Sequence, residues 1–132
     1  MTRFTARMVV ALLAAMALSA CGKSPEDSYE AQSLEATITF DAEGCPISVS
    51  EKVIEARRRD FITWSGVDAN GEKAKVPFVI FFDPLHGRAL RSKGNNLRRM
   101  VNAKAPIATY KYTIVGRGCP DKPLDPTIRV AR

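Results

Sequence analysis

The chain has 132 residues, with 20 basic and 14 acidic side chains and a formal net charge of +6 at pH 7. This length favours one ordinary domain, which is long enough to bury a core of its own. It contains one histidine, which excludes any metal site that needs two imidazoles from a single chain.

The first 20 residues have the order of an export signal. Arg3 and Arg7 precede the apolar run 8–18, which carries no charge and is too short to span a bilayer. The segment that ends it, Leu18-Ser19-Ala20-Cys21, resembles the lipobox of bacterial lipoproteins. The resemblance implies that residues 1–20 are cleaved and that Cys21 is lipidated, with palmitate among its acyl chains. An ordinary signal peptide with an incidental cysteine is the alternative.

The residue after Cys21 is Gly22, not aspartate. In many Gram-negative lipoproteins an aspartate there signals inner-membrane retention, so the resemblance implies an outer-membrane protein that faces the periplasm. Its expected partners are the membrane, through the lipid anchor, and an anionic envelope component or an acidic protein. Nucleic acid is not expected, because a lipoprotein does not normally meet it.

Residues 21–33 are rich in polar and acidic side chains and predict a flexible linker. Residues 34–132 predict one domain made of strands. Short apolar or alternating runs predict strands in this segment, at 34–41, 47–50, 51–60 (a strand and a turn), 61–64, 76–82, 110–115 and 124–130. Residues 85–105 predict a long basic connection with a helical turn at 96–102. About seven or eight short strands with turns between them favour an all-β sandwich.

Large apolar side chains at alternating positions are the candidate core. They are Trp64, Phe78, Ile80, Phe82, Tyr110 and Tyr112. Period-2 spacing is typical of the buried face of a strand, so these side chains are expected to pack and not to form a ligand stack. Met100 is also expected to be a packing residue.

Two cysteines remain once Cys21 is assigned to lipid. An exported protein lies in an oxidising compartment, so Cys45 and Cys119 are predicted to form a disulfide. Both precede proline in glycine-containing turns, Gly44-Cys45-Pro46 and Gly118-Cys119-Pro120. Free thiols or a redox pair are the alternative, although redox pairs usually have C-x-x-C spacing.

Three segments together resemble the cupredoxin family: RRRDFITWSGVD at 57–68, VPFVIFFD at 76–83 and YKYTIVGRGC at 110–119. The resemblance covers about residues 34–131 and implies a cupredoxin-like Greek-key β-sandwich. An immunoglobulin-like sandwich is the alternative fold. That family has a tyrosine two residues before its second cysteine, and Arg117 stands there in this chain.

The family's copper site needs a cysteine followed closely by histidine and usually methionine. Cys119 is followed by Pro-Asp-Lys-Pro-Leu-Asp-Pro, and the single histidine is His86. The ligand set therefore cannot be carried over, and no metal and no cofactor are predicted. His86 lies near Asp83 and could act as a base or metal ligand, but a surface turn histidine is the favoured interpretation.

The C-terminal half is basic. No acid occurs between Asp83 and Asp121, where eight lysines and arginines lie. Four arginines in this interval are the candidate site for an anionic group, such as a phospholipid head or a lipopolysaccharide phosphate: Arg88, Arg91, Arg98 and Arg99. Arginine suits bidentate contact with phosphate or carboxylate. A solvated surface that keeps the domain soluble is the alternative.

The sequence thus predicts a lipid-anchored cell-envelope protein with a non-copper, cupredoxin-like binding or assembly domain that is not an enzyme. The alternative is a periplasmic copper carrier or redox protein that shares ligands with a partner. An enzyme with its own catalytic centre ranks third.

Overall fold

The computed structural model describes residues 29–82 and 89–132. These residues form ten β-strands. In chain order they are β1 (Ser33–Phe40), β2 (Pro46–Val49), β3 (Val53–Arg57), β4 (Phe61–Val67), β5 (Phe78–Phe82), β6 (Ala89–Arg91), β7 (Asn96–Met100), β8 (Ala108–Gly116), β9 (Cys119–Leu124) and β10 (Thr127–Ala131). In this part of the chain, no helix has the length and hydropathy that a membrane span requires.

The strands form two packed sheets. The first has the order β2-β1-β4-β7, and the second has the order β3-β10-β8-β5-β6, with β9 beside β8. Two pairs, β1–β4 and β3–β10, are parallel, and the other pairs are antiparallel. The predicted all-β sandwich is confirmed, with ten strands where seven or eight were expected.

Alternation along the strands builds the core. In β1, Ala36, Ile38 and Phe40 are buried, and the residues between them are less so. The six predicted core aromatic and aliphatic side chains all belong to or pack against this core, with Phe82 only partly buried. The period-2 prediction is therefore confirmed, because a strand in a two-layer sandwich can bury only every second side chain.

The segment 85–105 differs from its prediction. It contains the edge strands β6 and β7, and the helical turn expected at 96–102 is wrong. In β7 Leu97 is buried and the other four residues are exposed. Met100, expected to pack, is 51% exposed. An edge strand with one buried residue shows no alternation in the sequence, which is why its pattern did not predict a strand.

The strand β9 was also missed. It contains Pro120 and Pro123, and proline is more typical of loops than of strands. It pairs only with β8, at Leu124 opposite Ile114 and at Cys119 opposite Gly116. Proline is tolerated on an edge strand because its missing N–H then faces away from the ladder.

Candidate functional site

A disulfide joins the two sheets at one end of the sandwich. Cys45, just before β2, is bonded to Cys119 at the start of β9, with the two Cα atoms 5.1 Å apart. This separation lies within the usual range for a disulfide. Both cysteines are buried. The predicted pairing is confirmed.

The turn before Cys45 is held by a carboxylate. Asp41 Oδ1 accepts hydrogen bonds from the Glu43 and Cys45 amides, each at 2.9 Å. Gly44 adopts a φ of +82°, which favours glycine. At Gly116 a Cβ atom would collide with the Gly44 carbonyl oxygen, so the turn packs directly on the β8 backbone. The cysteine is thereby fixed against the end of β8.

The donor set at this end does not fit a blue-copper ion. Asp41, Glu43 and Cys45 place potential ligand atoms within 4.8 Å of one another. However, the Cys45 and Cys119 sulfurs are bonded to each other and offer no thiolate. A blue-copper centre needs a cysteine and two imidazoles, and residues 29–82 and 89–132 contain no histidine. His86, like Arg88, lies outside the described residues.

The three described candidate arginines lie on two edge strands of different sheets. Arg91 on β6 pairs with Val79, whereas Arg98 and Arg99 on β7 pair with Thr63 and Ile62 of β4. The connection 92–95 lets Arg91 and Asn96 lie at most about 18 Å apart, so β6 and β7 border the same side of the sandwich.

The three arginines differ in direction, because neighbouring strand residues face opposite ways. Arg98 lies on the outer face of the first sheet, and its guanidinium carbon is 4.4 Å from the centre of the Phe61 ring. Arg99 pairs with the buried Ile62 and so leaves β7 on the inner face, and its guanidinium donates to the Arg98 backbone carbonyl at 3.1 Å. The structure therefore places these arginines around one side of the sandwich but does not bring them together into one cluster.

A cavity of about 230 Å³ opens on this same side, between β6 and β7. Apolar side chains from both sheets form its interior: Ile62, Trp64, Phe82, Leu90, Ile128 and Val130. Arg99, Met100 and Asn102 also line it, and all three are exposed. The sequence predicted neither the cavity nor its lining, because the lining comes from five strands that are far apart along the chain.

Two aromatic residues, Trp64 and Phe82, line this cavity, and the buried Tyr112 packs against both. The Trp64 and Phe82 rings are 6.4 Å apart, and Phe82 stacks on Tyr112 at 5.9 Å. The Trp64 indole N–H donates to the buried Tyr112 hydroxyl at 3.2 Å. Burial raises the pKa of Tyr112 to about 12, and the hydrogen bond from Trp64 opposes this rise. The wall is thus apolar and uncharged at neutral pH.

One buried acid was missed by the sequence analysis. Asp60 is 2% exposed, and its carboxylate accepts hydrogen bonds from the Tyr29 hydroxyl at 2.7 Å, the Gln32 amide at 2.9 Å and the Arg57 amide at 2.8 Å. The bond to Asp60 raises the pKa of Tyr29 above its ordinary value. Within the described residues, contacts with the sandwich thus extend ahead of β1 as far as Tyr29. A lone aspartate after three arginines gives no sequence signal for this role.

Searches against known proteins find no matching family model and no matching curated protein. Among solved structures, a purple cupredoxin from Nitrosopumilus maritimus is similar, with 18% identity, 74% of this chain and 99% of that chain covered, and a TM-score of 0.46. The N-terminal domain of ORF48 from phage TP901-1 has 10% identity, coverage of 76% and 99%, and a TM-score of 0.47.

An amicyanin mutant in its Cu(I) form has 16% identity, coverage of 72% and 82%, and a TM-score of 0.43. Cupredoxins are thus among the solved structures that resemble this chain. These low identities and TM-scores below 0.5 assign no activity to it, and the two-sheet sandwich rests on its own strand pairing.

Proposed function

We propose that the protein is a lipid-anchored envelope protein whose sandwich is a binding or assembly domain without a copper centre or a catalytic centre. One observation carries this proposal. Cys119 follows the strand that resembles the one leading to the copper ligand in cupredoxins, and it is bonded to Cys45. A sulfur in a disulfide cannot serve as the thiolate ligand, so the cysteines at this end of the fold have a structural role and link the two sheets.

The proposed docking surface is the side of the sandwich bordered by β6 and β7. Arg91, Arg98 and Arg99 lie on these two strands, and no acid occurs in the sequence between Asp83 and Asp121. Such a surface has a positive potential and attracts anionic partners. An anionic component of the envelope is therefore the proposed partner.

A copper titration separates this proposal from a copper carrier. We expect no intense blue absorption when Cu(II) is added to the mature protein, because the disulfide leaves no thiolate to form the copper–sulfur bond. The measurement is a visible-light titration with equilibrium dialysis of bound copper. Tight binding of one copper per chain that disappears in His86→Ala would instead establish the copper-carrier alternative.

The anchor is tested by cell fractionation. We expect Cys21→Ser to remove the protein from the lipidated pool, because serine offers no sulfur for the thioether to diacylglycerol. The variant should then be found either unprocessed or released from the outer membrane. Gly22→Ser, which keeps Cys21, is the matched control and should remain acylated. A wild-type N-terminus downstream of Cys21 in mass spectrometry, without lipid, would rule out the anchor.

A further inference from the structure

We infer that the cavity between β6 and β7 binds one medium-length acyl chain of an anionic amphiphile, with the carboxylate or phosphate head beside Arg99. This inference rests on the proposed docking function and names its ligand class. It depends on three features of the cavity: its size, its apolar interior and the charge at its mouth.

The cavity is a pocket that is open to solvent on one side and measures about 230 Å³. An apolar cavity of about 150 Å³ already admits benzene. The partly exposed Phe82 and Leu90 form its walls, and Trp64 beneath them is fully buried. A pocket of this size therefore has room for a slender hydrocarbon chain.

The interior offers few hydrogen-bond partners to a polar ligand. The one polar side-chain atom of Trp64, the indole nitrogen, already donates to the buried Tyr112 hydroxyl. No buried side-chain nitrogen or oxygen among the described residues lacks a hydrogen-bond partner. Because water finds few partners in such a space, a hydrocarbon chain is the group that the interior favours.

The mouth has the opposite character. Arg99 lines it and donates one guanidinium N–H to the Arg98 backbone carbonyl at 3.1 Å, which leaves its other N–H groups for a ligand. The described residues that line the cavity include no carboxylate. The Asn102 side-chain oxygen accepts the Lys104 amide at 2.8 Å, which leaves its NH₂ group to donate elsewhere. A guanidinium and an amide NH₂ together suit an anionic oxygen acid. An apolar interior with a cationic mouth is the pattern that fits an acyl anion.

The chain's only tryptophan, Trp64, lines the cavity and reports its occupancy by fluorescence. The oxidised chain 22–132, which contains both sheets, the core and the disulfide, is titrated with decanoate, decyl phosphate and decanol below their micelle concentrations. We expect saturable changes with the two anions. Decanol should bind about tenfold more weakly, because a charged hydrogen bond is worth about 1.5–3 kcal/mol.

Two variants distinguish the contribution of the anionic head group to binding from that of the acyl chain. Arg99→Gln should lower the affinity for decanoate about tenfold and leave the affinity for decanol nearly unchanged. Leu90→Gln should lower the affinity for all three probes. Arg129→Gln is the matched control, because Arg129 is exposed on the outer face of β10 and does not line the cavity, and it should bind like wild type. Equal affinities for decanoate and decanol, or no effect of Arg99→Gln, would overturn the inference.

Two further outcomes are distinguishable. If wild type binds none of the three probes, the inference is wrong. If decanoate binds but the protein fails to bind anionic vesicles in a salt-dependent way, the docking function fails and the cavity assignment stands.

Native mass spectrometry after incubation with fatty acid or phosphatidylglycerol vesicles identifies the source of the acyl chain. Recovery of either bound species supports the inference. Recovery of neither contradicts it.

Discussion

Removing the disulfide should cost about 4.5 kcal/mol of unfolding free energy. Cys45 and Cys119 are 74 residues apart, and closing a loop of this length restricts the unfolded chain by about that amount in the chain-entropy estimate. Small domains are stable by only about 5–15 kcal/mol, so the loss would leave the fold marginal. Urea unfolding of wild type and of the double variant Cys45→Ala, Cys119→Ala measures it.

The control is the wild-type protein after reduction and alkylation, which should show a similar loss. Thiol labelling adds an independent readout. Neither cysteine should react in the native oxidised protein, and both should react after reduction and unfolding. A double variant within about 1 kcal/mol of wild type would show that the closed loop contributes little to stability.

Asp60→Ala should lower the unfolding free energy by about 3 kcal/mol. The substitution removes the acceptor of three hydrogen bonds, from Tyr29, Gln32 and Arg57, at a site that is almost fully buried. A donor left unsatisfied in such a site costs about 1–3 kcal/mol, and part of this cost is recovered where water enters. Denaturant unfolding monitored by Trp64 fluorescence gives the value.

The matched control is Asp68→Ala. Asp68 also accepts two turn amides, from Asn70 and Glu72, but it lies nearer the surface. Water can replace its carboxylate, so the loss should stay below about 1 kcal/mol. Tyr29→Phe removes one of the three donors to Asp60 and should cost about 1 kcal/mol. Equal losses for Asp60→Ala and Asp68→Ala would mean that burial of Asp60 has no energetic consequence.

These two predictions concern different parts of the fold. The disulfide fixes the Cys45 turn and β9 at one end of the sandwich. Asp60 fixes the segment before β1 to the turn between β3 and β4, and its backbone carbonyl also accepts the Val101 amide at 2.7 Å. Val101 follows β7 and lies beside the cavity.

The local pattern of the sequence determined the strands that bury alternate residues. In β1 and β8 a two-layer sandwich demands period 2, and the residues from Leu34 to Phe40 and from Tyr110 to Val115 provide it. The Cys45–Cys119 pairing was also predicted from the count of cysteines, on the expectation that Cys21 is lipidated and that the domain is exported. Strand alternation depends on neighbouring residues, and the cysteine pairing depends on the number of cysteines, so both could be predicted from the sequence.

Tertiary structure alone decided the rest. β6 and β7 are strands because β5 and β4 offer them hydrogen-bonding edges, and their own residues show no alternation. Arg98 and Arg99 are adjacent in the sequence, yet Arg98 lies over Phe61 on the outer face and Arg99 lines the cavity. Asp60 is buried because donors distant in the sequence surround it. Such features depend on which segments meet across the sandwich, and no local sequence pattern records that.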